Sequence, residues 1–140
     1  MPPPVTMRSA LLPFSEGNLS AGFPSPADDH GENRIDLADI LVPHPSASFT
    51  LRVSGHSMWR AGIHDRDLAI VDRSLQAETN DVIVASLGGE LVCKRLIMKN
   101  GRVWLIPDSE DPAHTPIEVT GRDDFEIWGV IPTTIRFHRR

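Results

Sequence analysis

Two residues of this chain can be joined into chemistry by their types and spacing. Ser57 lies in the stretch Ser54-Gly55-His56-Ser57-Met58, and Lys94 follows 37 positions later. Gly55 allows a backbone conformation or close approach that a side chain would block. Two residues on, a hydroxyl is presented. Most serines in such turns are only solvated. Lys94 raises the interest, because a neutral amine beside a serine hydroxyl can accept its proton, and Ser-Lys pairs do this in some hydrolases.

The elements that must carry the pair are strands. Side chains on a strand alternate between faces, so Val92, Lys94, Leu96 and Met98 share one face, opposite Leu91, Cys93, Arg95 and Ile97. Lys94 then sits between aliphatic neighbours, where burial lowers an amine pKa from about 10.4. Alternation equally permits a lysine that snorkels to solvent or pairs with Glu90. Both faces are largely apolar, so the pattern does not say which is the core.

Strand signals surround these residues. Ser48–Val53 leads directly into the serine turn, and Asp67–Asp72 reads as another strand. Asp81–Leu87, the turn Gly88-Gly89, Glu90–Met98, the turn Asn100-Gly101 and Arg102–Ile106 form an antiparallel meander. Ile117–Val119 and Phe125–Ile131 add strands. No proline falls between Ser46 and Ile106, as an uninterrupted sheet requires. Ile35–Val42 places Leu37, Ile40 and Leu41 at helical spacing, ended by Pro43. The fold class expected is mainly β, a sandwich or partly closed barrel with one short helix. Residues 1–33, proline-rich and poor in periodic apolar residues, read as a flexible N-terminal arm, and residues 34–140 as the β-rich domain.

Composition bounds the function. The chain has 140 residues and a formal charge of -5, which argues against binding duplex DNA by phosphate neutralisation. Residues 1–21 are neutral, so the remainder carries the whole charge. One cysteine, Cys93, excludes an internal disulfide and fits a reducing compartment. No apolar run approaches membrane-span length and no export signal opens the sequence, so a cytoplasmic protein is expected.

Other constellations are weaker. His56 adjoins Ser57 and, in extended backbone, points away from it. His64, Asp65 and Asp67 lack the paired spacing of known metal sites, so neither metal nor cofactor is expected. Cys93 reads as a small buried apolar residue. Trp59, Trp104 and Trp128 read as core or partner-surface residues.

With these residues in view, the sequence resembles the UmuD branch of the LexA-type self-cleaving serine peptidases, peptidase family S24. The matching stretches include Ala21-Gly22-Phe23-Pro24, Arg34-Ile35-Asp36-Leu37, His44-Pro45-Ser46-Ala47, Ser54-Gly55-His56-Ser57-Met58, Asp67–Asp72, Lys94-Arg95-Leu96 and Trp128-Gly129-Val130-Ile131. The resemblance implies a LexA/signal-peptidase-like β fold, with Ser57 as nucleophile and Lys94 as general base. The bond cut would be Ala21-Gly22 of the chain's own arm. It further implies stimulation by a RecA filament on single-stranded DNA during the SOS response. The trimmed product would form a homodimer serving a UmuC-like, Y-family translesion polymerase. The sequence departs from the pattern at His56, where many relatives carry an acid, and at Trp59-Arg60. A LexA-like repressor would need a DNA-binding domain before the cleavage site, where 21 proline-interrupted residues stand. From another class, a non-catalytic β-sheet interaction module is the alternative.

Overall fold

The structure is a computed structural model that describes residues 8–15 and 33–139. The expected cleavage pair, Ala21 and Gly22, lies outside the described residues. The chain divides into two compact units, Met1–Ser46 and Ala47–Arg140.

In the first unit, β1 (Leu11–Pro13) pairs antiparallel with β2 (Arg34–Asp36), with Leu12 opposite Ile35. This small ribbon differs from the expectation, which placed residues 11–13 in an unstructured arm and Ile35 in the helix. Three-residue strands carry too little alternation to register in sequence. The helix α1 (Leu37–Leu41) starts later because Asp36 caps it, its carboxylate accepting the Ala38 N–H at 3.0 Å. The same carboxylate accepts the Ala10 N–H at 2.8 Å.

The second unit is built on one seven-stranded antiparallel sheet in the order β3-β4-β9-β5-β6-β7-β8. Its strands are β3 (Ser48–Arg52), β4 (Leu68–Asp72), β5 (Val82–Leu87), β6 (Glu90–Lys99), β7 (Arg102–Ile106), β8 (Ile117–Glu118) and β9 (Phe125–Ile135). The mainly β expectation is borne out, and the sheet does not close into a barrel. The expected meander β5-β6-β7 is present, with Ile83 opposite Lys94 and Leu96 opposite Leu105.

Both faces of the sheet are apolar, which is why alternation could not choose between them. Ile83, Ala85, Leu96, Leu105, Val119 and Val130 form the core on one face. Ala69, Val71, Val84 and Ile131 form a second cluster, joined by Cys93 from the opposite face of β6. The strand β9 runs past Pro132, further than expected. Its pairing with β4 shifts register between Ile70 and Asp72, and its pairing with β5 ends at Val130. A proline is tolerated at such an irregularity because the missing N–H costs no ladder bond. Gly129 is required for close packing: a Cβ there would meet Val71 Cγ1 at 2.7 Å and the Asp72 carbonyl at 3.1 Å. Among the described residues, no helix is long and apolar enough to cross a membrane.

Candidate active site

The loop between β3 and β4 carries the serine. Its ends are clasped where the two strands part: the Val53 N–H donates to the Asp67 carbonyl and the Arg66 N–H to the Val53 carbonyl, both at 2.8 Å. Within the loop, Gly55 has φ of 85°, which favours glycine over any L side chain. Its N–H donates to Asp65 Oδ1 at 2.8 Å, so a carboxylate ten residues on fixes the turn. Met58 is buried and roots the segment after Ser57 in the interior. A 3-10 turn, Trp59–Ala61, follows and is closed by Gly62 in the left-handed conformation.

The lysine reaches the same place from β6. The pairing of β6 with β7 stops at Arg95 opposite Ile106, one residue short of Lys94. The chain leaving β7 then bonds to the serine loop instead. The Asp108 N–H donates to the Ser57 carbonyl at 2.7 Å, and the Arg60 N–H donates to the Asp108 carbonyl at 2.8 Å. The serine loop is therefore stitched in beside Lys94, beyond the last paired residue of β7.

The structure brings the two sequence-selected residues together, with Lys94 Nζ 2.6 Å from Ser57 Oγ. Lys94 is partly buried, and desolvation lowers its amine below the ordinary lysine value, opposed in part by Cys93 where its thiol ionises. Burial pushes that thiol up to about 11, so it stays neutral at pH 7. The group at Lys94 Nζ is thus the Ser57 hydroxyl and not Glu90, the alternative partner. A cleft of about 200 Å³ opens over the pair, lined by Gly55, Met58, Leu91 and Val92 among others. A short, partly desolvated amine–hydroxyl contact under an open cleft can move a proton from oxygen to nitrogen and so generate a nucleophilic alkoxide.

The remaining candidates separate. His56 turns its ring edge-on to Trp59, with centroids 5.9 Å apart. His64 stacks flat on the same indole at 3.7 Å. Asp67 binds Arg136 through both oxygens, at 3.0 and 2.9 Å, and Asp65 holds Gly55. The Asp67 carboxylate also accepts the His64 N–H at 2.9 Å, so these residues are tied into the loop's own hydrogen bonds. Trp59 is 50% exposed, a surface residue and not a core one. Trp128 packs edge-on against Phe49. A serine–histidine contact does exist elsewhere: Ser109 Oγ and His114 Nδ1 are 2.5 Å apart, bracing the loop after β7. Sequence reasoning missed Asp108 and weighed Asp65 only as a metal ligand; the roles of both depend on loop closure and leave no periodic signal.

Comparison with known proteins decides the kinship. The Peptidase S24-like family matches residues 13–132. This chain belongs to that family. The match agrees with the resemblance carried by Ser57, Lys94 and the flanking stretches. Protein MucA of Salmonella typhimurium is 40% identical over 133 residues, covering 94% of this chain and 88% of MucA. Protein ImpA of the same organism is 39% identical over 104 residues, 74% of this chain and 71% of ImpA. The LexA repressor of Bordetella parapertussis is 38% identical over 130 residues, 93% of this chain and 58% of the repressor. The family assignment supports activity of the serine peptidase type.

Proposed function

We propose that this chain is a self-cleaving serine peptidase of the SOS response, with Ser57 as nucleophile and Lys94 as general base. The observation that carries the proposal is the 2.6 Å contact between Lys94 Nζ and Ser57 Oγ at a lysine whose amine is depressed by desolvation.

The steps follow from those two groups. Neutral Lys94 Nζ takes the Ser57 hydroxyl proton as Oγ attacks the Ala21 carbonyl carbon. Backbone N–H groups of the serine turn stabilise the oxyanion that forms. The Lys94 ammonium returns the proton to the Gly22 nitrogen as the peptide bond breaks, leaving an ester between Ser57 and Ala21. Lys94 then deprotonates a water that hydrolyses this ester and frees Ser57. Ala21 and Gly22 are small enough to approach the turn closely. The 35 residues from Gly22 to Ser57 span over ~100 Å when extended, so reach permits cutting within one chain or between two.

By family kinship the trigger is a RecA filament on single-stranded DNA. The trimmed homodimer then serves a UmuC-like, Y-family translesion polymerase in the cytoplasm. Incubating the full chain with RecA, single-stranded DNA and an ATP analogue should yield a product beginning at Gly22. A persistently intact chain would favour a non-catalytic interaction module instead.

A further inference from the structure

A groove of about 820 Å³ is lined in part by His56, the residue before Ser57. Its lining concentrates positive charge in a chain whose formal charge is -5: four arginines stand against two aspartates. The four arginines differ in what holds them. Arg136 is committed to the buried Asp67 and to the Gly62 carbonyl at 2.6 Å, so it is a structural cation. Arg52 uses Nη1 on the Arg66 carbonyl at 3.0 Å. The Arg66 side chain makes a loose ion pair, 3.9 Å from Asp65. Arg139 is exposed on the chain's final stretch. Guanidinium groups with unspent N–H donors around an open groove suit carboxylates, which they can bind in bidentate fashion. The volume is that of a ligand pocket, and the Trp59–His64 stack gives it one firm wall.

The sequence supplies a matching ligand. Downstream of Ala21-Gly22 comes Asp28-Asp29-His30-Gly31-Glu32, with three acids in five residues. From Gly22 these acids lie six to ten residues on, roughly 20–35 Å of extended chain. A peptide cut at Ser57 could therefore lay its acidic run in a groove that His56, next to Ser57, helps to line. We infer that this arginine groove is an acidic-peptide subsite, binding Asp28, Asp29 and Glu32 on the downstream side of the bond that is cut. The inference rests on the peptidase reading for its direction, because Ser57 fixes where the scissile bond sits.

Two measurements test it separately from that reading. The first needs no cleavage. A fluorescent peptide of residues 26–33 is titrated against full-length chain carrying Ser57→Ala, Asp28→Lys and Asp29→Lys, which removes internal competition. Binding should weaken with added salt and fall about fivefold or more on Arg66→Glu with Arg139→Glu. The same peptide neutralised by Asp28→Asn, Asp29→Asn and Glu32→Gln should not bind comparably. Equal binding of the neutral peptide, or indifference to the arginine reversals, overturns the inference. So does tighter, arginine-dependent binding of oligothymidylate, which would make the groove a nucleic-acid site. The second measurement is self-cleavage. Arg66→Glu with Arg139→Glu should slow it about fivefold, and adding Asp28→Lys with Asp29→Lys should restore most of the rate. A chain that never cuts but still binds the acidic peptide would sink the peptidase reading alone. A chain that cuts at a rate blind to both charge reversals would sink the groove alone.

Discussion

Ile83 is the register partner of Lys94 across β5 and β6, and it is fully buried. Paired residues in an antiparallel ladder share a face, so the lysine stem rises from the core side of the sheet. Its amine meets the serine loop at Ser57 Oγ, 2.6 Å away. This placement gives one residue both properties that a general base needs here, a depressed amine and a hydroxyl in contact.

A pH dependence with a definite sign follows. Desolvation lowers the folded-state pKa of Lys94, so the neutral, proton-accepting fraction grows as pH rises toward that value. Unassisted self-cleavage should accelerate about tenfold per pH unit above neutrality and level off below the ordinary lysine pKa of about 10.4. Rates of chain cleavage followed by gel from pH 7 to 10 check this, and a flat profile would contradict it. The same shift has a stability consequence. Between the folded and unfolded pKa values only the unfolded chain holds this proton, so the contribution of Lys94 to stability improves with rising pH there.

Charge alone should not substitute for the amine. Lys94→Arg retains a cation that does not deprotonate near neutrality, so cleavage should fall at least about a hundredfold, as for Lys94→Ala. Circular dichroism and thermal unfolding should show both variants folded. Measurable cutting by purified Lys94→Arg would exclude proton abstraction at this position.

The Asp65 carboxylate should act on rate through the turn it holds. Asp65→Ala frees the Gly55 N–H, and self-cleavage should slow about tenfold while stability changes by about 1 kcal/mol. Asp65→Asn keeps an oxygen acceptor and should recover most of the rate. Equal losses in both variants would show that the carboxylate charge matters more than the hydrogen bond.

The pair Asp67–Arg136 should dominate acid sensitivity of the fold. Asp67 is 1% exposed, and the Arg136 guanidinium holds its carboxyl below the usual range. Its contribution is present above the unfolded carboxyl pKa and is lost as pH falls through the lower folded value. Asp67→Ala should cost on the order of 3 kcal/mol at neutral pH, measured by urea unfolding. The difference from the parent chain should shrink as pH falls through the lowered carboxyl value, and a difference constant with pH would contradict the assignment.

Much of this architecture was legible in the sequence, and the omissions have causes. Gly88-Gly89 and Asn100-Gly101 fixed the meander, and alternation placed Lys94 with Val92 and Leu96. Alternation says nothing about what stands beside a strand, so the 2.6 Å contact depended on where β7 ends and Asp108 turns to Ser57. The bonds from Asp65 to Gly55 and from Arg136 to Asp67 link residues far apart in their pattern, and no local signal marks them. Ile35 looked helical because its apolar spacing fits, yet Asp36 caps the helix behind it and leaves Ile35 to pair with Leu12. The exposure of Trp59 was hidden for a similar reason, since its partner His64 comes from the far side of the loop.

The most direct test is intact-mass measurement of the full chain before and after incubation with RecA, single-stranded DNA and an ATP analogue. The parent chain should convert to two pieces parted between Ala21 and Gly22, while Ser57→Ala and Lys94→Ala stay whole. Conversion of either variant, or a parent chain that remains uncut, would contradict the Ser57–Lys94 mechanism.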